Sequence, residues 1–282
     1  MKFLLRKVKN KLDTAFMFLQ KILQQYIPWA FLKSPQLRML IYGDKIDCIL
    51  YSLAITKKNV FFVQVGSNDA SHGDPLCHFI HKWNWAGIMI EPVEYVFKRL
   101  EKNFSQFENI ILENVAVSSE SGVKEFYHLA ECDDLPITYN QLGSFLLETV
   151  LKNSSWIPDI KERIVTTQIK CLTFQEICRK NHVSNIDILH IDTEGYDFEI
   201  IKMIDFECVK PMVILYEHKH LNEDDKAKCR KHLERQNYEL IEIQRDTIAL
   251  QKQTSNNSLK LCQAWDVVRQ VTPSKTIQMA QT

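Results

Sequence analysis

Short, unbroken apolar runs alternate along this chain with amphipathic segments, and most of the runs stop abruptly at polar residues. Val60–Val65, Ala86–Ile90, Ile110–Val117, Ile186–Ile191 and Met212–Tyr216 are mostly apolar with few polar interruptions, the pattern of strands buried in a parallel sheet. Between them Val93, Val96, Phe97, Leu100 and Phe104 recur at helical spacing. Helices are also expected over Leu172–Asn181, Phe198–Ile204 and Ala227–Gln236, with another near Asp44–Ile55. Val123–Leu129, after a Ser121-Gly122 turn, reads as the second arm of a hairpin-like pair, and Val165–Cys171 as a further strand. Tyr238–Ile243 and Thr247–Gln251 close the pattern as an antiparallel pair. The expected fold is α/β and Rossmann-like, with a mostly parallel central sheet, helices on both faces and a helical N-terminal extension.

The first strand and its surroundings organise the rest. After Val65 comes the polar turn Gly66-Ser67-Asn68-Asp69-Ala70-Ser71-His72-Gly73, then Asp74 and Pro75 as N-cap and first residue of a helix. The next strand ends on Glu91, 25 residues after Gly66, where a carboxylate can accept from both hydroxyls of a ribose. A dinucleotide would need the G-x-G-x-x-G turn that brings backbone close to a pyrophosphate. Here Gly66 and Gly73 enclose only larger residues, and Asp69 would repel phosphate. The turn is expected to leave N–H groups free for a ligand with a ribose and a positive centre, as in S-adenosylmethionine.

Composition narrows the class without naming it. The 282 residues carry no net formal charge and are 45% hydrophobic, which points away from nucleic acid and from disorder. Eight cysteines without a C-x-x-C pair fit reduced thiols and a cytoplasmic setting. Residues 1–55 form the helical extension, 56–252 the main domain with 130–168 as a substrate or lid insertion, and 253–282 a C-terminal tail. Lys2, Arg6, Lys7, Lys9 and Lys11 make the first helix basic and amphipathic, suited to peripheral membrane contact or to packing on the domain or on a second copy. Charges interrupt its apolar run, so it does not read as a signal peptide. The tail is polar, though Ala264-Trp265 and Val267-Val268 can dock.

Polar clusters fall at the ends of apolar strands: Gly66–Asp69, Glu91, Glu113-Asn114, Asp192-Thr193-Glu194 and Glu217-His218. In a parallel sheet those ends share one edge, so the clusters converge. The runs Val63–Asp69, Ile90-Glu91-Pro92, Asn114–Ser118 and Ile188–Asp197 resemble the FkbM family of S-adenosylmethionine-dependent methyltransferases, in order and spacing, from about residue 60 to 250. The resemblance implies a class I methyltransferase fold and methyl transfer to a hydroxyl of a sugar, glycan or natural product. It implies that Val65, Gly66, Ser67, Asn68 and Asp69 line the methionine part of the cofactor. Glu91 with Pro92 would hold the ribose, Asn114, Ala116 and Val117 flank the adenine, and Asp192 stand where cofactor and acceptor meet. Ala70 replaces a glycine usual in the family, and a side chain there disfavours a positive φ.

A hydroxyl acceptor must lose its proton to a base or meet a bound cation. Asp192, Glu194 and His218 are the catalytic candidates. Asp192, Glu194 and Glu217 offer hard oxygens to Mg²⁺, and His218 offers a base that titrates near neutrality. His190 reads as a core residue, and Lys219 and His220 as solvated. Tyr139, Trp156, Asp133 and Asp134 of the insertion suit a sugar or a lipid-linked glycan equally. Two other readings stand beside methyl transfer. One is a nucleotide-sugar glycosyltransferase with Asp192-Thr193-Glu194 as metal site; the other is a non-catalytic partner with a degenerate pocket, suggested by Ala70.

Overall fold

The computed structural model describes residues 45–252 and 259–271, except 72, 133, 136–138, 140 and 141, together with 19, 22 and 23. The first helix expected in the N-terminal extension and its basic residues lie almost wholly outside this set; Leu19, Ile22 and Leu23 are helical. The chain forms two compact units, residues 59–253 and residues 1–58 with 254–282.

In the larger unit, β1 (Phe61–Val65), β2 (Ala86–Ile90), β3 (Ile110–Glu113), β8 (Ile188–Ile191) and β9 (Val213–Glu217) run parallel. β11 (Asp246–Gln251) is antiparallel to both β9 and β10 (Tyr238–Ile243). The order is β10-β11-β9-β8-β1-β2-β3. From β1 the chain winds outward to β3, then returns to lay β8 on the other flank of β1. The gap between β1 and β8 is therefore the point where winding reverses, and ligands bind at the carboxyl ends of strands there.

Helices α2 (Cys77–Trp83), α3 (Glu94–Phe104), α6 (Phe174–Lys180), α7 (Asp197–Met203) and α8 (Glu223–Arg235) connect the strands. Val63, Val65, Ile88, Ile90, Leu189, Ile191 and Ile214 form one core with Phe174, Ile177, Phe198, Ile201 and Leu233 of these helices. Local signals set the helix starts. Asp74 Oδ1 accepts from Leu76 N and Cys77 N, both at 2.7 Å, so it caps the turn before α2, which begins two residues beyond Pro75. Thr173 and Glu176 form a capping box on α6, and Asn222 Oδ1 accepts from Asp225 N to start α8.

The second sheet differs from the expected hairpin. β5 (Gly122–Leu129) pairs with β7 (Ile164–Leu172) instead, from Gly122 opposite Cys171 to Leu129 opposite Ile164. β4 (Ala116–Val117) joins the far end of β7 in parallel, and β6 (Gly143–Ser144) joins β5. A strand's alternation does not say whom it pairs with, and the partner here lies some forty residues along. Much of the 130–168 insertion thus has structure of its own: β6, α4 (Leu147–Leu151), a 3₁₀ turn (Lys152–Ser155) and α5 (Ile160–Arg163). Leu129, Leu142, Val150, Ile157 and Ile160 give it a small core.

In the smaller unit α1 (Lys45–Thr56) packs on α9 (Leu259–Val271). The C-terminal tail expected to be polar is helical over this stretch, because Leu261, Ala264, Trp265 and Val268 fall on one buried face. All eight cysteines are unpaired thiols. Among the described residues no helix is long and apolar enough to cross a membrane.

Candidate active site

The ends of β1 and β8 are joined by Asp192 N, which donates to Val65 O at 3.0 Å. Gly66 then turns with φ +80°, and a Cβ on it would fall 1.8 Å from the Asp192 carbonyl oxygen. Only glycine lets the two loops come this close. Asn68 (φ 50°) and Ala70 (φ 50°) continue the turn in the left-handed region, so the alanine adopts the conformation it disfavours and buries its methyl group.

The N–H groups of this turn are not free, contrary to the sequence expectation. Gly66 N and Ser67 N donate to Ile90 O, and Ala70 N donates to Ser67 O. Asn68 N donates to Glu91 Oε2, Asp69 N to Asn68 Oδ1, and Ser71 N to Asp69 Oδ1. A loop with its donors spent cannot cradle phosphate, whereas its oxygens can face hydroxyls and cations. This fits S-adenosylmethionine, which brings a sulfonium, an ammonium and a ribose diol.

Glu91 sits at the end of β2, 6% exposed, with Oε2 accepting from Asn68 N (3.0 Å) and Oε1 from Val93 N (2.8 Å). Burial pushes its pKa up from 4.5 to about 7, against the pull of those two hydrogen bonds. The residue therefore ties the β1 turn to the start of α3 while keeping lone pairs for a ligand. Ser67 and Asp69 are buried and serve the turn itself: Ser67 Oγ donates to Gln64 O and accepts from Ile90 N, and Asp69 Oδ1 also accepts from Ser71 Oγ at 2.6 Å. Asn114 Nδ2 donates to Glu91 O at 2.9 Å and to Pro92 O at 3.3 Å, linking the β3 end to the same corner. Val65, Ala116 and Val117 place their side chains in apolar cores, which leaves backbone to face a ligand. Glu113 is held by Lys180 Nζ (2.7 Å) and Asn181 Nδ2 (2.9 Å), a supporting contact.

On the β8 side, Asp192 is open to solvent at its surface yet ringed by protein and by acids. Desolvation, and then the charges of Glu217, Glu194, Asp197 and Asp246, hold its carboxyl well above the usual carboxylate range. Asp197 is fully buried; Oδ2 accepts from Thr193 Oγ1 (3.1 Å) and Gly195 N (3.2 Å), shaping the turn, and burial lifts its pKa to about 7. Glu217 is lifted to about 8 by burial and by Glu194 and Asp197. His190 is buried in β8 as expected.

The histidines exchange places relative to the sequence expectation. His218 is buried with its Nδ1 2.8 Å from Thr247 Oγ1 on β11. His220, expected in solvent, has a side chain only 7% exposed, with Nε2 2.9 Å from Glu194 Oε2 and 3.4 Å from Glu217 Oε2. Lys219 N and His218 N both donate to Arg245 O, a tight turn that swings the next side chain inward. The spacing Glu217-x-x-His220 at a strand end was the available sequence signal. Glu194, Glu217 and His220 are the one metal-ligand cluster among the described residues; Asp192 is near it by charge but outside it.

The insertion leans on this corner. Ser144 Oγ donates to Glu194 O at 3.3 Å, Phe145 stacks obliquely on Tyr196, and Thr149 lies against Gly195. Of the polar residues expected to meet a sugar, Asp134 is clamped by Arg163, which holds its pKa at about 2, and Tyr139 packs on the insertion's core. Trp156 is 73% exposed, and Asp133 lies outside the described residues.

No curated protein sequence matches the chain. Among solved structures it is similar to a methyltransferase FkbM from Methylobacillus flagellatus KT, 12% identical over 77% of this chain and 52% of that one, with a TM-score of 0.44. A precorrin-6y C5,15-methyltransferase from Geobacter metallireducens GS-15 is 12% identical over 80% of this chain and 92% of that one (TM-score 0.39). A fibrillarin pre-rRNA processing protein from Methanococcus jannaschii is 11% identical over 78% and 75% (TM-score 0.37). Likenesses this distant assign no residue. Residues 64–240, more than half of the chain, match the Methyltransferase FkbM domain, and they include the Gly66 turn, Glu91, Asp192 and Glu217. The chain belongs to the FkbM methyltransferase family.

Proposed function

We propose that this protein uses S-adenosylmethionine to methylate a hydroxyl oxygen on a sugar, glycan or natural product. The observation that carries the reading is the corner where β1 meets β8: a glycine turn with its N–H donors spent, in contact with Asp192 and bridged to Glu91. S-adenosylmethionine supplies a methyl carbon activated by its sulfonium, and displacement there requires the acceptor oxygen in line with the departing sulfur. Glu91 accepts from the ribose hydroxyls. Gly66 and Asn68 face the methionine part, and Pro92 with the backbone of Asn114 to Val117 borders the base. Asp192 takes the acceptor's proton, a role suited to a carboxyl whose pKa is raised by desolvation and by the acids around it. His218, engaged by Thr247, is a poorer base in this arrangement. The exposed Trp156 offers an apolar face to a sugar.

Ala70 does not favour the degenerate-pocket reading, since the backbone holds it at φ 50° with its methyl group buried. The glycosyltransferase reading gives way to the family match. The test is calorimetric titration of the full chain with S-adenosylmethionine and S-adenosylhomocysteine, followed by transfer of labelled methyl groups to a panel of hydroxylated acceptors. Micromolar binding and label in an alkali-stable ether support the reading. Absence of binding to either compound overturns it; label on nitrogen or carbon overturns the choice of oxygen.

A further inference from the structure

Three side-chain atoms at this edge crowd together at ion-pair distance without hydrogen-bond geometry. Glu194 Oε2, Glu217 Oε2 and His220 Nε2 are buried, and none has a hydrogen-bond partner, although Nε2 lies 2.9 Å and 3.4 Å from the two oxygens. The side chains of His220, Glu217 and Glu194 are 7%, 9% and 19% exposed. Buried polar atoms left unpaired destabilise the fold. With metal–ligand bonds of about 2.1 Å, neighbouring ligand atoms stand about 3.0 Å apart around an octahedral ion and about 3.4 Å around a tetrahedral one. The separations of 2.9 Å and 3.4 Å lie in the range of those edges, and one ligand atom from each of the three side chains lies within 4.8 Å of the others.

The backbone holds them there. Glu194 has φ 51°, a conformation kept only where surrounding contacts impose it; Ser144 Oγ holds its carbonyl, and Asp197 accepts from the next N–H. Gly195 lacks the Cβ that would press on the Cβ of His220 at 3.3 Å, so the β8 and β9 turns can meet. Charge asks for a cation as well. Asp246 stands directly opposite Glu217 in the β9–β11 ladder, an unfavourable acid pair, and Asp192 feels both glutamates.

We propose that Glu194, Glu217 and His220 bind a divalent transition-metal ion of the Mn²⁺ or Zn²⁺ kind at the acceptor side of the active site. An imidazole among two carboxylates selects against Mg²⁺, which takes oxygen ligands and would suit the set Asp192, Glu194 and Glu217 expected from the sequence. Three protein ligands leave positions open, and, on the methyltransferase reading, one of them receives the acceptor hydroxyl and acidifies it beside Asp192.

The test uses the full chain stripped by chelation, with the free Mn²⁺ signal in electron paramagnetic resonance and the unfolding temperature as readouts. The expected result is one Mn²⁺ per chain, displaced by Zn²⁺ but not by equal Mg²⁺, with a rise in unfolding temperature. His220→Gln and Glu217→Gln should each weaken Mn²⁺ binding at least about tenfold, as loss of a direct ligand does no less than loss of its outer partners. Gln keeps the volume of either side chain, and the metal-free unfolding temperature of each variant checks its fold. No bound metal in the parent chain overturns the proposal and leaves an ion-paired histidine; so does binding that both variants retain, or equal preference for Mg²⁺. S-adenosylmethionine titrated into the same samples separates the two readings. Manganese binding without cofactor binding defeats the methyltransferase reading alone, and cofactor binding without manganese defeats the metal site alone.

Discussion

Glu91 braces two loops from a buried position, and the ribose contact proposed for it would pull its proton the opposite way. Burial holds the carboxyl protonated up to about pH 7, while ribose hydroxyls donate best to the ionised form. The unfolded chain releases this proton near 4.5, the folded one near 7. Glu91's share of stability is therefore full below about 4.5 and lost as pH rises to about 7. Cofactor affinity should rise over the same window, with close to one proton released per ligand at pH 6; calorimetry in buffers of different ionisation enthalpy measures it. In Glu91→Gln the release should vanish. That variant also sets an amide donor against the N–H of Asn68 or Val93, so it should lose about 1–3 kcal/mol of stability as well as affinity. The two glycine-like positions of the turn should respond unequally. Gly66→Ala forces a Cβ into Asp192 O and should cost more than about 2 kcal/mol in denaturant unfolding. Ala70→Gly relieves a left-handed alanine but loosens the unfolded chain and removes a buried methyl, so its change should stay within about 1 kcal/mol.

Helix α6 supports the corner of the sheet where β3 ends. The capping box of Thr173 and Glu176 fixes α6, and Lys180 and Asn181 at its end hold Glu113, the neighbour of Asn114. Thr173→Ala should cost about 1 kcal/mol of stability by urea titration while leaving cofactor affinity within about twofold. A larger loss of affinity would show that α6 tunes the corner proposed to border the base. Most strands of the central sheet and helix α3 were legible because each carries its own pattern, an apolar run or a 3.6 period; the Asn222 cap starts α8 at Glu223, ahead of the expected Ala227, and the run Ile110–Val117 divides between β3 and β4 in different sheets. The β5–β7 pair was not legible, since two alternating strands look the same whichever partner they take.

At the scale of each whole unit, the chain's end matters more than its polarity suggested. Residues 254–282 contribute α9, which packs on α1, a helix that buries Cys48, Ile49, Leu50 and Leu53. Truncation after Gln253 should expose that face, seen as increased binding of a hydrophobic dye and a lower unfolding temperature. Unchanged dye binding would mean that α1 finds other cover. In the larger unit, saturating cofactor at about a hundred times its dissociation constant should add about 2.7 kcal/mol to stability.

The sequence alone determined the α/β plan, the Gly66 turn, the acid at the end of β2 and the Asp192–Glu194 loop. These follow from local periodicity and from the rule that parallel strands send their carboxyl ends to one edge. It also carried the family resemblance that the match over 64–240 bears out. Tertiary structure alone decided which donors of the turn remain, that Glu91 braces two loops, and that the buried imidazole beside the glutamates is His220 and not His218. Those outcomes rest on how residues distant in sequence meet: Asp192 against Gly66, Arg245 against the β9 turn, Ser144 against Glu194. A side chain's direction at a strand end is set by such contacts, and no period in the sequence encodes them.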